Sequence, residues 1–458
     1  MVRSSKSVSL SFLVLLVLSS GARCESLSLS KALELARDNN PQYLGAQATI
    51  AVARARHRQA VAQTLPQLSA SASRNWNHRN YDTLAPLFPT PTEVSNYDAI
   101  NDQVTLTQPL YKRAAYTTVS QSTAVIHQNE YELLATEQEL LVKLVENWVD
   151  LIVAQDSALF VEAQVATTQR QLEQFQKALQ LDLASMPELE DARAKHAQAV
   201  ADKETAEFDI QEKLATLEEL LGPLKPFSVP TLAADYSAPR PTAAELDELL
   251  QAAEEANPSV LAAQAALFAA NKEVTKQRAG HEPTIDIVGN FGRNKQNAGN
   301  FPGQSGYDIH QRSIGLQVSV PLYSSGLQQA RVGEALALRA KAVQDLEAAT
   351  RTARTNARLA WYRYRTNSAR VSASRQSLLS YDLALRTALS GAAKGLRYDV
   401  DVLRAKQDYL QAKRDLHKAQ AEMIVDCLRL KAAIGTLTDA DIVPIDEQTR
   451  ARSSEEFQ

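Results

Sequence analysis

Histidine and cysteine, the side chains that most often bind metals or act as nucleophiles, are scattered singly along this chain. The seven histidines are His57, His78, His127, His196, His281, His310 and His417. None of them has His-x-x-x-His spacing or a cysteine at metal-ligand spacing. The segment Gly303-Gln-Ser-Gly306 lacks the spacing of a nucleophile elbow and lies in a polar stretch. No glycine loop that could hold a phosphate precedes a helix. The sequence therefore predicts no catalytic site, no cofactor and no metal, and any energy must come from a partner.

The first 24 residues have the pattern of a secretory signal peptide. A basic start is followed by an apolar run over residues 12–18 and by small residues before Glu25, where we expect cleavage. The alternative is a lipoprotein acylated at Cys24, which Arg23 disfavours because a small residue is needed there. After cleavage Cys427 is the only thiol, so no intramolecular disulfide can form. Removing the three basic residues of this segment leaves 46 basic against 53 acidic side chains. No later apolar run is long enough for a transmembrane helix.

The rest of the chain carries the same landmarks twice. Asn40-Pro41 recurs as Asn257-Pro258, and the end LEELLG at 217–222 recurs as LKAAIG at 430–435. Landmarks that keep one order and a nearly constant shift indicate an internal duplication. We expect four parts after the signal peptide (1–24): a first repeat over 25–222, a proline-rich linker over 223–241, a second repeat over 242–435 and a polar C-terminal tail over 436–458.

Long helices dominate both predicted repeats. Apolar residues recur every seven positions in two series, which is the pattern of a coiled coil. The series are Leu144, Leu151, Ala158, Val165, Leu172 and Leu179, and Val402, Tyr409, Leu416, Met423 and Leu430. As a single helix, the segment from Lys112 to Leu181 would be about 105 Å long. A helix of this length exceeds the need of a globular core and suits a duct that crosses the periplasm.

Four segments switch to the two-residue period of β-strands, near residues 67–77, 99–109, 284–294 and 312–321. Strands of a transmembrane barrel require this alternation, and a soluble antiparallel sheet produces it too. Aromatic residues at the strand ends favour the barrel: Trp76, Tyr81, Tyr97, Tyr111, Phe291, Tyr307 and Tyr323. Four strands are too few to close a barrel, so we expect an oligomer that shares one.

Taken in order, these landmarks resemble the TolC-like outer-membrane efflux proteins over the whole mature chain. The most specific segment is GAAKGLRYDVDVLRA at 391–405, which is similar to the family's signature at the periplasmic tip between the last two helices. The resemblance implies a mostly α fold with a small β part. Long coiled-coil helices would form a periplasmic α-barrel, and four strands per chain would contribute to a trimeric twelve-stranded outer-membrane β-barrel.

The resemblance also implies a function. It indicates a passive channel rather than an enzyme, in the outer membrane of a Gram-negative bacterium and with a large periplasmic part. Such a homotrimer serves a tripartite efflux pump or type I protein secretion. It opens when a periplasmic adaptor (membrane fusion) protein and an inner-membrane pump or ABC exporter dock.

By the same resemblance, three charged residues are candidates for the aperture at the periplasmic end. Arg397 would lock the helices, and Asp401 and its first-repeat counterpart Glu188 would place acids in a narrow lumen. Acids in a symmetric ring around an aqueous pore attract cations. The candidates for contact with the adaptor are Gly395, Leu396 and Leu183.

This chain departs from the family pattern at both tips. Ala392 replaces a tyrosine and Arg404 an aspartate, which predicts a weaker lock and a weaker charge ring. Pro187 and Asp182 stand where threonine and glycine are more typical, which affects the expected adaptor contact. Three alternatives stay open: a solvated coiled-coil face for the charged residues, a trimeric coiled-coil surface or adhesin-type structural protein for the chain, and a soluble periplasmic enzyme. The sequence does not define the cargo, whether drugs, metal ions or a secreted protein.

Overall fold

The computed structural model describes residues 27–81, 93–224, 227, 230–232, 246–298, 305–394 and 399–451. The predicted signal peptide and most of the predicted linker lie outside these ranges. One order of elements, two helices, two strands, a long helix and a shorter helix, occurs twice. First come α1 (Leu29–Asn39), α2 (Pro41–Ala62), β1 (Gln67–Tyr81), β2 (Glu93–Tyr111), α3 (Arg113–Gln180) and α4 (Met186–Leu221). After β3 (Pro230–Leu232) follow α5 (Leu246–Ala256), α6 (Pro258–Arg278), β4 (Thr284–Gln296), β5 (Tyr307–Ser319), α7 (Leu327–Ala393) and α8 (Asp399–Ala433).

The repeated Asn-Pro pairs begin the second helix of each set. Asn40 Oδ1 accepts hydrogen bonds from the backbone N–H groups of Gln42 (3.1 Å) and Tyr43 (3.0 Å) at the start of α2. Asn257 does the same for Ser259 at the start of α6, at 3.0 Å. Proline fits directly after such a cap because the first helical N–H has no partner inside the helix.

The long helices form where the seven-residue period predicts them, and the apolar residues of the two series lie on their packed faces. Helix α3 has 68 residues and α7 has 67, so each is about 100 Å long. Leu144, Leu151 and Leu416 of the two series are fully buried in the main core, with Trp148 at its centre. Every other residue of the two series is at least partly buried. Among the described helices, none combines the length and apolar character that crossing a bilayer requires.

The strands form one antiparallel sheet in the order β1-β2-β4-β5. The register is continuous except for a bulge between Pro109 and Tyr111. Strands β1 and β2 extend farther from the helices than the alternation predicted, to Tyr81 and from Glu93. Strand β5 begins at Tyr307 rather than near 312 and ends at Ser319. The outer edges of β1 and β5 have no neighbouring strand within the described chain.

The C-terminal segment is folded against the helices through residue 451, where the sequence suggested only a polar tail. It contains α9 (Val443–Gln448) and β6 (Thr449–Ala451), and β6 pairs with β3. Leu437, Ile442 and Ile445 are buried in the main core. The Asp446 carboxylate accepts hydrogen bonds from the N–H groups of Leu29 (2.8 Å) and Ser30 (3.2 Å), at the start of α1. Two further acids of this segment form ion pairs with the helices, Asp439 with Arg37 at 2.7 Å and Asp441 with Lys431 at 2.5 Å.

Candidate channel wall and aperture

One face of the four-stranded sheet is apolar and exposed. The register places Leu68, Leu106 and Ile314 on this apolar face, in one row across the strands with Gly289. Ile314 is 81% exposed and Leu316, two residues along, is 62% exposed. These side chains remain uncovered although their strands have the alternation of a half-buried sheet.

The opposite, polar face carries mostly serine, threonine, asparagine and glutamine. Gln103 Nε2 donates to Asn290 Oδ1 (3.0 Å), and Thr105 Oγ1 donates to the same oxygen (3.0 Å). Neighbouring polar-face residues include Ser69, Ser71, Ser73, Thr107, Asn294, Gln311 and Ser313. Asp286 also lies on this face, whereas its neighbours Ile285 and Ile287 lie on the apolar face.

Both faces of the sheet are exposed in the single chain, so the apolar face lacks the cover that a soluble sheet needs. A sheet that folds in water buries its apolar face and exposes its polar one. Strands of a transmembrane barrel instead present apolar side chains to lipid and polar side chains to a water-filled interior. The exposed apolar face and hydrogen-bonded polar face therefore fit a barrel wall.

The turn between α3 and α4 forms the first tip. Glu188 lies in the first turn of α4, where its carboxylate accepts hydrogen bonds from Ser185 N and Oγ, both at 2.7 Å. These two bonds, the backbone one first, lower the pKa of Glu188 below its usual value. Ser185-x-x-Glu188 is a capping box, a signal that was readable in the sequence. Leu183, on the same turn, is 76% exposed, with Leu181 and Met186 also exposed beside it.

The second tip lies between α7 and α8. Asp401 is exposed in the first turn of α8, the position in this tip that matches Glu188 in the first one. Arg404 is exposed one turn farther along α8, and Ala392 is in the last turn of α7. The other three predicted residues of this tip, Gly395, Leu396 and Arg397, lie outside the described residues.

Sequence reasoning missed a set of buried polar contacts between the two predicted repeats. His417 of α8 and Asp156 of α3 form a side-chain contact between His417 Nδ1 and Asp156 Oδ2, and both residues are buried. The pair is 261 positions apart, and neither residue is at a position of the seven-residue series. No local signal in the sequence could have joined them.

A second polar contact site lies nearby, where α3, α7 and α8 meet. Asn367 Nδ2 donates to Asp426 Oδ2 (2.8 Å), and Arg429 donates to Glu146 (2.7 Å). Burial raises the pKa of Asp426, while the bond from Asn367 and the charge of Arg429 act in the opposite direction. Burial likewise raises the pKa of Asp150, although Lys213 opposes this. Within the described residues there is no group of three or more acidic, histidine or cysteine side chains that could hold a metal ion.

Comparisons with known proteins agree with this geometry. The family model described as "Outer membrane efflux protein" matches residues 32–223 and 249–436. The outer membrane protein TolC of Vibrio cholerae is 26% identical over 419 residues, which cover 92% of this chain and 93% of that protein. The proteases secretion protein PrtF of Dickeya chrysanthemi is also 26% identical, over 93% of this chain and 92% of its own length.

A solved structure has the same fold. The Campylobacter jejuni CmeC outer membrane channel superposes with a TM-score of 0.72 at 19% identity, covering 94% of this chain and 90% of that one. Because the family model matches along both halves, the chain belongs to the outer membrane efflux protein family, whose members are outer-membrane channel proteins and not enzymes.

Proposed function

We propose that this chain is one of three identical subunits of an exit duct in the outer membrane, used for efflux or type I protein secretion. The observation that carries this proposal is the open sheet with an uncovered apolar face. Its apolar face needs lipid, and the free edges of β1 and β5 need strands from other copies. Three copies would supply twelve strands, enough to close a membrane barrel.

The helices extend this duct into the periplasm. Helices α3 and α7 begin next to the strands and are each about 100 Å long, so three copies would line a tunnel well beyond the membrane. In this proposal the opening of the duct depends on partners. We assign this to a periplasmic adaptor that contacts Leu183, Gly395 and Leu396 at the tips, together with an inner-membrane pump or ABC exporter.

The charged residues of the tips form the aperture in this proposal. Asp401 and Glu188, each three times over, would face the narrow end of the lumen and attract cations. Arg397 would bond a carboxylate of a neighbouring helix and hold the closed arrangement. The Ser185 bonds to Glu188 hold that acid in its charged form.

Disulfide cross-linking across the sheet edges tests the shared barrel. Native Cys427 is buried, so engineered cysteines carry the signal. Ser71→Cys on β1 combined in turn with Ile309→Cys, Gln311→Cys or Ser313→Cys on β5 should give covalent trimers in at least one combination. The matched control is Ser71→Cys with Gln103→Cys, which are direct partners within one chain and should cross-link without forming larger species. Monomers in every β1–β5 combination, with the control pair cross-linked, would refute the shared barrel.

Single-channel recording in planar bilayers tests the aperture. Asp401→Ala should reduce cation selectivity, because it removes three acids from the narrowest part of the proposed lumen. Arg397→Ala should raise conductance by loosening the closed tip. Each solvated ion pair is worth only about 0–1 kcal/mol, but threefold symmetry repeats the loss in every subunit. If both variants conduct and select like the parent, the tips are solvated helix faces and this site assignment is wrong.

A further inference from the structure

The apolar face of the sheet changes character toward the ends of the strands that lie away from the helices. From the row that contains Val104 and Phe291 outward, the same face carries seven charged residues, which we name the distal collar. They are Arg74, Asp98, Asp102, Arg293, Lys295, Asp308 and Arg312, and the strand register puts all of them on the side of Leu106 and Ile314. The distal collar thus follows directly on the surface that faces lipid in the proposed duct.

Most of the collar's charges are paired with each other. Arg293 donates to both carboxylate oxygens of Asp308, at 2.9 and 2.6 Å. Arg74 donates to Asp98 at 2.9 Å. These pairs bind both carboxylates within the collar, and the side chains of Arg74 and Arg293 remain partly exposed.

Two cations of the collar have no such pairing. Within the described residues, neither Lys295 nor Arg312 has a carboxylate within 4.0 Å. The Arg312 guanidinium instead lies over the ring of Phe291, 5.2 Å from its centroid. It therefore stands at the boundary between the apolar face and the collar, with its N–H groups available.

We propose that the distal collar binds the phosphate groups of membrane lipid headgroups, with Arg312 and Lys295 as the principal contacts. This inference rests on the proposed function, which places the apolar face against acyl chains. A lipid whose chains lie along Phe291 and Ile314 has its headgroup at the level of Arg312. Guanidinium and ammonium groups bind phosphate strongly, and at a membrane surface each contributes to holding anionic lipid.

The polar face provides a control of similar chemistry, nine positions farther from the helices along β1 than Ala70, which lies in the row of Arg312. Arg79 lies over the ring of Tyr97 at 5.4 Å, nearly the same stacking geometry as that of Arg312 over Phe291. The register places Arg79 on the opposite face of the sheet, toward the proposed lumen. It has a similar charge and aromatic contact but no access to lipid.

The experiment is a titration of the full-length protein, purified in mild detergent, with diphosphoryl lipid A, followed by native mass spectrometry. Arg312→Gln with Lys295→Gln should weaken binding roughly thirtyfold, since two headgroup contacts are lost. Arg79→Gln should bind like the parent. Asp308→Asn should bind more tightly, because it releases Arg293 for the phosphate. Such a gain cannot arise from misfolding.

Two further measurements test whether the collar binds lipid phosphate. Dephosphorylated lipid A should bind the parent as weakly as the phosphorylated lipid binds the double variant. Equal binding by the parent and the double variant, or an equal loss in Arg79→Gln, would overturn the inference. Conductance of the same preparations in planar bilayers is read separately. A parent that forms no channel contradicts the proposed function, whereas normal channels with unchanged lipid binding contradict only the collar.

Discussion

The sheet and the helical core use opposite arrangements of the same residue types. In the core around Trp148 the apolar side chains of α3 and α8 are buried, and a few polar pairs are buried with them. In the sheet, residues such as Ile314 and Leu316 are outside, and hydrogen-bonded polar residues such as Gln103 and Asn290 occupy the other face. The periodicity of a segment gives the spacing of its apolar residues, whereas the surrounding solvent decides which face they occupy. Substitutions in the two regions should therefore change the free energy of unfolding by different amounts.

The largest effect is expected where the hydrogen-bonded pair of His417 and Asp156 is buried in the helical core. His417→Leu leaves the buried Asp156 carboxylate without its imidazole partner, which should lower the free energy of unfolding by about 3–5 kcal/mol. Asp156→Leu combined with His417→Leu should recover much of this loss, because two apolar side chains can replace a buried pair. Denaturant unfolding of the purified variants measures both. A double variant as unstable as the single one would show that Asp156 contributes mainly through other contacts.

The next effect tests the polarity of the sheet with two adjacent residues. Leu316 lies on the apolar face and Gln317 on the polar face of β5. Leu316→Arg should destabilise the membrane-inserted protein by about 2–4 kcal/mol, because it places a cation against lipid. Gln317→Arg should be nearly neutral, since it points into water. Unfolding from lipid vesicles distinguishes them, and equal costs would contradict the assignment of the faces.

The sequence predicted the regular part of this structure because that part follows from short-range periodicity. The seven-residue spacing identified Leu144, Leu151 and Leu416 as core residues, and the two-residue spacing located the strands. The alternation did not reveal the outer part of β5, because the polar residues His310 and Arg312 lie on the face that carries Ile314.

The polar contacts between residues far apart in the chain could not be predicted from the sequence. Asp156 and His417, or Ser30 and Asp446, meet only after the helices have packed. Of the candidate aperture, the capping role of Glu188 was readable from Ser185, whereas the lumenal roles of Glu188, Asp401 and Arg397 depend on the assembled trimer and stay predictions.

A smaller effect is expected at the contact between the two ends of the chain. Asp446→Ala removes the acceptor for the first N–H groups of α1, and loss of such a cap costs about 0.5–2 kcal/mol. Because the lost hydrogen bonds involve only the start of the short helix α1, the change should appear as faster amide hydrogen exchange over residues 29–39. Glu447→Ala, an exposed neighbour, is the control and should leave this exchange unchanged. The Ser28 hydroxyl also accepts a hydrogen bond at this helix start, from Lys31 N at 3.2 Å. Unchanged exchange in Asp446→Ala would mean that Ser28 is sufficient to cap the helix.

The smallest effect concerns how stability depends on pH in the helical core, and it follows from Asp426. Burial raises the pKa of this carboxyl above its ordinary 3.8, although Asn367 and Arg429 oppose the shift and keep it modest. The folded state then holds this proton more tightly than the unfolded state. The contribution of Asp426 is therefore fully present below pH 3.8 and declines as pH rises through the raised pKa.

Asp426→Asn stays neutral and can still accept the bond from Asn367, so its stability should fall less than the parent's between acidic and neutral pH. Asn367→Ala should do the opposite, because losing a bond that lowers the pKa of Asp426 steepens the decline. Denaturant midpoints across this range measure all three slopes. If the midpoints of Asp426→Asn change with pH as much as those of the parent, the pKa of Asp426 is not raised. Asn367 and Arg429 would then stabilise the buried carboxylate as well as water does.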